Sequence, residues 1–360
     1  GRIYIMNIDH CNTHSSFKDK VYMSNLCQEI TLPTKPVQHI DDPEGEIALC
    51  ILSAINLGMI KDKEELEELC DLSVRALDEI IDYQEYPVEA AKKSTEARRS
   101  LGVGYIGLAH YLAKNKVKYN NQEAWKLVDE ITEAFQYYLL KASNQLAQEK
   151  GKCDYFDRTK YADGILPIDT YKKDVDNIVK RKLSYDWTTL RNNIKSSGLR
   201  HSTLSAQMPS ESSSVVSNAT NGIEPPRDYL SVKKSKKGTL KQIVPDYNRL
   251  KNFYTLLWDM PDNDGYINIV AIMQKYFDQA ISGNWSYNPE NYEGNEVPLS
   301  VMAKDLLNTY KLGWKTSYYQ NTYDGKTDVE EPTHSVGWHD NVEEKKEEVQ
   351  SEEECEACAI

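Results

Sequence analysis

The chain contains no run of about 18 apolar residues, so no segment reads as a membrane-spanning helix. Its start, G-R-I-Y-I-M-N-I-D-H, has neither the apolar stretch nor the cleavage site of a signal peptide. It also has no initiating Met and opens on a strand-like run, which reads as a chain that begins within a fold. The seven cysteines are odd in number and mostly scattered, so they make no disulfide framework. A reducing cytoplasm is expected, where a Cys is catalytic or inert rather than structural. A basic footprint for nucleic acid is missing as well. The net charge is −13, and Asp328 to Ile360 hold 12 acidic residues against two lysines, which leaves −3 on the first 327 residues.

Within those bounds the composition is globular, with 40% apolar residues and 24 tyrosines. Apolar strand-like segments alternate with helical ones. The first clear run, E-I-A-L-C-I-L-S-A-I-N-L, spans 46–57 and contains Cys50. Leu66, Leu69, Cys70, Ser73, Leu77, Ile80 and Ile81 keep the 3.6-residue period of a helix, with Cys70 on the apolar stripe. A second long helix is predicted over 123–150, with Val128, Ile131, Phe135, Leu139 and Leu146 inward. Others are predicted near 250–260, 267–282 and 299–311, and K-T-S-Y-Y-Q-N-T after them reads as a strand. No repeat of fixed period appears. Strands separated by helices argue an α/β fold with helices outside a sheet. The acidic tail is expected to be disordered.

Four stretches carry possible chemistry. S-N-L-C-Q-E-I-T, residues 24–31, alternates like a strand, which would put Asn25, Cys27 and Glu29 on one face. An amide, a thiol and a carboxylate pack poorly together but could form a reaction surface. A small buried Cys between two solvated polar groups is the plainer alternative. M-P-S-E-S-S-S, residues 208–214, could hold an anion on its backbone N–H groups and hydroxyls. An ordinary Ser-rich loop is an equal alternative. Tyr318 and Tyr319 would point to opposite faces of a strand, as in any amphipathic aromatic strand. The tail ends in Cys355 and Cys358 as C-x-x-C. With His334 and His339 distant, a redox dithiol suits it better than a zinc half-site.

One motif argues for little. L-G-V-G-Y-I-G has the G-x-G-x-x-G spacing at Gly102, Gly104 and Gly107. A dinucleotide site needs an apolar strand before it and an acidic residue about 20 positions on. K-K-S-T-E-A-R-R-S and N-N-Q-E-A-W supply neither. The glycines are expected to serve tight turning and close packing before the helix L-A-H-Y-L-A.

Taken together, these segments resemble the C-terminal half of the large (alpha) subunit of class Ia ribonucleotide reductase, of the bacterial and phage type. The likeness runs over nearly the whole chain. It rests on G-R-I-Y-I-M-N-I-D-H-C-N-T-H-S, S-N-L-C-Q-E-I, G-E-I-A-L-C, M-P-S-E-S-S-S, N-A-T-N-G-I-E-P-P-R, K-T-S-Y-Y-Q-N-T and C-E-A-C. The resemblance implies residues 1–325 of a ten-stranded α/β barrel with N-L-C-x-E as a central finger loop, then a flexible acidic tail, 326–360. It implies that Cys27 forms the thiyl radical, that Glu29 is the base for the 3′ hydroxyl, and that Asn25 binds the ribonucleoside diphosphate. Cys50 would be one of two reducing thiols. Glu211, Ser212 and Ser213 would hold the diphosphate, Tyr318 and Tyr319 would relay the radical, and Cys355 and Cys358 would re-reduce the site.

No cofactor is expected in this chain. The resemblance places a tyrosyl radical and di-iron centre in a small partner subunit, with nucleotide effectors on the N-terminal part of the large subunit. Partners implied are that N-terminal part, the small subunit, and thioredoxin or glutaredoxin, without nucleic acid or membrane. The second reducing cysteine has no matching motif here, and neither Cys11 nor Cys153 fills the role. A naturally split subunit is the expectation. The competing possibility is a non-catalytic fragment that engages thioredoxin or the small subunit.

Overall fold

Leu52–Asn56 and Gly102–Ile106 form a parallel pair, in register from Leu52 opposite Gly102 to Asn56 opposite Ile106. A parallel pair needs a crossover, and the helices Lys63–Tyr83 and Glu89–Arg98 supply it. Parallel bridges then join Val103 to Ser205 and Gln207 to Ile281. The long helix Gln122–Lys150 lies in the second crossover. Trp285–Tyr287 runs parallel to Gln320–Thr322, with the helix Leu299–Lys311 between them in sequence. Thr316–Ser317 is antiparallel to Ile5–Met6. Among the described residues these pairings make an arc of short extended segments with helices in the connections, rather than a closed ring. This is the α/β alternation that the sequence predicts. The computed structural model describes residues 4–325 apart from 41, 236 and 237, so the acidic tail and its two cysteines lie outside the described residues.

The two long helices follow their sequence pattern. Asp62 caps the first, its Oδ1 accepting from the Glu65 N–H at 2.8 Å. That helix buries Leu66, Cys70, Val74, Leu77, Asp78 and Ile81, while Ile80 faces outward. Cys70 is therefore a core residue, as its place on the stripe predicts. Val128, Ile131, Phe135, Leu139 and Leu146 are all buried on the second helix, which packs on the first. Two predicted helices are shorter than the pattern suggests. The one near 250–260 reduces to Tyr247–Leu250 and a single 3-10 turn, Leu257–Asp259. The one over 267–282 is Asp264–Gln274. Beyond it the backbone is claimed by neighbouring extended segments: Gln279 N–H donates to the Ser205 carbonyl at 3.0 Å, and Ala280 N–H to the Glu29 carbonyl at 3.0 Å. Tertiary pairing overrides the helical pattern there.

Gly102–Ile106 is itself a fully buried strand, not a turn before a helix. A Cβ on Gly102 would lie 2.6 Å from Leu52 Cδ2, and one on Gly104 would lie 2.7 Å from the Ala206 carbonyl oxygen. These glycines let strands approach closely. Gly107, with φ of +74°, makes the turn into the helix Leu108–Lys114.

One buried carboxylate pins the middle of the arc. Asp278 accepts from Leu204 N–H at 2.9 Å, Ser205 N–H at 2.8 Å and the Tyr161 hydroxyl at 2.7 Å. Replacing Asp278 by Ala strands those donors in the interior, where each unsatisfied group costs about 1–3 kcal/mol. The expected loss is about 4 kcal/mol, read as a fall in the denaturant midpoint at unchanged slope. A variant within about 1 kcal/mol of the parent would show that Asp278 does not hold these segments together.

Candidate functional site

Residues 24–31 form a tight turn, which corrects the strand suggested by their alternation. Gln28 N–H donates to the Asn25 carbonyl at 3.2 Å, and Gln28 itself has φ of +72°. Asn25 closes the turn twice: its N–H donates to the Ile30 carbonyl at 3.3 Å, and its Oδ1 accepts from Ile30 N–H at 3.1 Å. The turn still gathers the three polar side chains. Cys27 and Glu29 are buried, and Asn25 Nδ2 lies 3.6 Å from the sulfur of Cys50. Cys50 is exposed and sits just ahead of Leu52–Asn56. Burial raises the Glu29 carboxyl pKa, against hydrogen bonds from Asn25 and Ser282 that favour the anion.

The tyrosine pair falls in the gap between two short strands, Thr316–Ser317 and Gln320–Thr322. Because the ladder is interrupted, the rings do not take opposite faces. Their centroids are 4.1 Å apart at an interplanar angle of 50°. Tyr318 is buried, and its hydroxyl is 3.7 Å from Cys27 Sγ; Tyr319 is 42% exposed. The pair therefore runs from the surface to the thiol. Burial pushes the Tyr318 phenol well above its ordinary range, with Tyr319 and Cys27 adding to the shift. A third phenol joins them: the ring of Tyr4 lies 4.9 Å from Tyr318 and 5.5 Å from Tyr319. Burial, with Tyr319 next, lifts its pKa to about 12. Nothing in G-R-I-Y-I marks that tyrosine out, because its partners are more than 300 positions away.

One extended segment, 279–285, carries both halves of the site. Toward the thiol turn, Gln279 Oε1 accepts from Thr31 N–H at 3.2 Å, and the Ser282 hydroxyl is 2.5 Å from the Cys27 carbonyl oxygen and 3.2 Å from Glu29 Oε2. Toward the tyrosines, the Gly283 carbonyl accepts from Tyr318 N–H at 2.8 Å, Asn284 Oδ1 accepts from Tyr319 N–H at 2.9 Å, and Trp285 N–H donates to the Tyr319 carbonyl at 2.9 Å. Sequence reasoning singled out none of Gln279, Ser282 and Asn284, since isolated amides and a serine carry no spacing signal.

Glu211, Ser212 and Ser213 occupy the first turn of a short helix, Glu211–Val216. Ser213 Oγ donates to the Ser210 carbonyl at 3.2 Å. This turn follows Gln207, which bridges Ile281 and so hangs on the same segment as the thiol turn. Cys355 and Cys358 lie outside the described residues. Among the described residues no group of three or more His, Cys, Asp or Glu is placed to hold a metal ion, and no helix is long and apolar enough to cross a membrane.

The geometry is that of an α/β domain whose polar residues converge on a buried thiol reached by a line of phenols. A family model for the ribonucleotide reductase barrel domain matches residues 1–320, and the chain belongs to that family. It is 61% identical over 334 residues to the ribonucleoside-diphosphate reductase subunit alpha of Haemophilus influenzae, covering 92% of this chain and 44% of that protein. The ribonucleoside-diphosphate reductase 1 subunit alpha of Escherichia coli is 58% identical over 334 residues, with the same coverage. The subunit alpha of enterobacteria phage T4 is 44% identical over 90% of this chain and 43% of its own length. The chain thus spans less than half the length of these relatives.

Proposed function

We propose that this chain is the catalytic portion of a ribonucleoside-diphosphate reductase, converting ribonucleoside diphosphates to 2′-deoxyribonucleoside diphosphates by thiyl-radical chemistry. It works assembled with the N-terminal part of the large subunit and with a small subunit that supplies the radical from its own tyrosyl and di-iron centre. In this reading residues 1–325 belong to a ten-stranded barrel, residues 24–31 are its finger loop, and residues 326–360 are the redox tail. The observation that carries the proposal is the Tyr318 hydroxyl on the sulfur of Cys27, with Glu29 on the same turn.

The steps follow from these groups. Oxidised Tyr319 takes an electron and a proton from Tyr318, and the Tyr318 phenoxyl takes a hydrogen atom from the Cys27 thiol. The thiyl radical removes the 3′ hydrogen of the ribose. Glu29, as carboxylate, accepts the 3′ hydroxyl proton, and Asn25 orients the sugar. The 2′ hydroxyl leaves as water, taking a proton from the reducing thiols. Cys50 and a second thiol supply two electrons and, to the 2′ carbon, their remaining hydrogen, ending as a disulfide, while Glu29 returns its proton to the 3′ oxygen. Cys27 returns its hydrogen to the 3′ carbon and regains it from Tyr318. Cys355 and Cys358 reduce the disulfide by exchange, and thioredoxin or glutaredoxin then reduces them. Glu211, Ser212 and Ser213 hold the diphosphate.

Mixing this chain with the N-terminal part and the small subunit should give deoxyribonucleotide formation with dithiothreitol as reductant, while the chain alone should give none. A stable three-part complex without turnover would instead favour the non-catalytic reading, in which the chain engages thioredoxin or the small subunit.

A further inference from the structure

We infer that Ser282 is a positioning residue whose single hydroxyl proton alternates between the Glu29 carboxylate and the Cys27 backbone carbonyl, tying the setting of the thiol turn to the protonation of Glu29. The inference deepens the proposed function, and rests on it for the role of Glu29 as base. Its ground is geometric. The Ser282 oxygen lies 2.5 Å from the Cys27 carbonyl oxygen and 3.2 Å from Glu29 Oε2, and all three residues are buried. A serine has one proton to donate and two lone pairs to accept with. It therefore cannot donate to both oxygens at once.

The two states conserve protons. With Glu29 ionised, Ser282 O–H donates to Oε2, and the Cys27 carbonyl loses that donor. With Glu29 protonated, the carboxyl O–H donates to Ser282 Oγ, which frees the serine proton for the Cys27 carbonyl. The shorter of the two distances is to the carbonyl, which is the second arrangement. Burial raises the Glu29 pKa, which works toward that state, while the Asn25 and Ser282 hydrogen bonds work against it. Each time Glu29 takes a proton, the turn that holds the sulfur gains a hydrogen bond on the residue that bears it. Other groups gathered here are the Cys27 thiol and the Tyr318 phenol above it, Cys50 behind Asn25, and, from the segment carrying Ser282, Asp278 with the Lys315 ammonium on its carbonyl. The hydroxyl of Ser282 is the group that touches both the carboxyl and the thiol's own peptide.

The test uses the assembled enzyme, labelled with carbonyl-13C cysteine and titrated without substrate under isotope-edited infrared. The Cys27 band is assigned by its loss from that position in a Cys27→Ser sample. It should move to lower frequency as pH falls through the Glu29 titration, and Glu29→Gln should abolish the movement. Ser282→Ala should abolish it too, and should shift the acidic limb of the pH–rate profile upward by roughly one unit, because a donor to the carboxylate is lost. Ser282→Thr, which keeps a hydroxyl, should restore the limb. A purely structural serine would lower the rate at every pH and leave the limb in place, which overturns the inference. A carbonyl band that ignores Glu29 in the parent enzyme overturns it without any Ser282 variant. If the band responds but Glu29→Gln is fully active, the base assignment fails while the coupling stands.

Discussion

Cys27→Ser should lose all turnover, including a single turnover, in the assembled enzyme. Oxygen replaces sulfur at a buried position beside the Tyr318 hydroxyl, so the change in volume is small and the turn should survive. On the proposed mechanism, the chemistry does not survive. A serine O–H is too strong a bond for a phenoxyl radical to break, so no radical reaches the sugar and no reductant can substitute. The tail cysteines are expected to behave differently. Cys355→Ser should spare one or a few turnovers and should recover with dithiothreitol, since a small thiol can replace the tail in exchange. Rapid-quench measurement of product per active site separates the two. If Cys355→Ser with dithiothreitol is as inactive as Cys27→Ser, the tail has another role.

The second large effect is expected at the tyrosines. Tyr318→Phe keeps the ring and removes the phenol, a nearly volume-conserving change. Losing the contact with Cys27 should cost about 1 kcal/mol of stability. Activity should nevertheless fall to background, because Phe cannot be oxidised at an accessible potential. Tyr319→Phe should behave alike, although its ring is more exposed. A pair that served packing alone would show the reverse, with a lowered melting temperature and near-normal turnover. A thermal melt and a reduction assay on the same assembled samples decide the matter, and near-parental turnover in either variant removes that tyrosine from the relay.

What the sequence made legible was what depends on local period. The helices Lys63–Tyr83 and Gln122–Lys150 are long and keep the 3.6-residue pattern, so their inward faces could be read directly, apart from Ile80, which faces outward. The thiol turn could not. Its alternation imitates a strand, and its positive φ falls on Gln28, where no glycine or proline announces a turn. The tyrosine pair was legible as two adjacent rings, but their close, tilted contact depends on a break in the ladder that side-chain types do not encode. Asn25, Cys27 and Glu29 stood out because their types are unusual together. Ser282 and Tyr4 did not, because each acquires meaning only from neighbours that the fold delivers from elsewhere in the chain. Gly102 and Gly104 misled through their spacing, which suits a close strand as well as a turn.

The segment 279–285 holds the thiol turn on one stretch and the tyrosine pair on the next. In the proposed mechanism, the donor and acceptor of the hydrogen atom are thus mounted on a common rail. If helices on the outside breathe or shift with binding of a partner, the rail carries sulfur and phenol together, and the gap between them stays nearly constant. Transfer across that gap is steeply sensitive to misplacement, on the scale of about 100-fold for a single ångström. Large motions elsewhere in the subunit can then regulate access to the site without detuning the step at its centre.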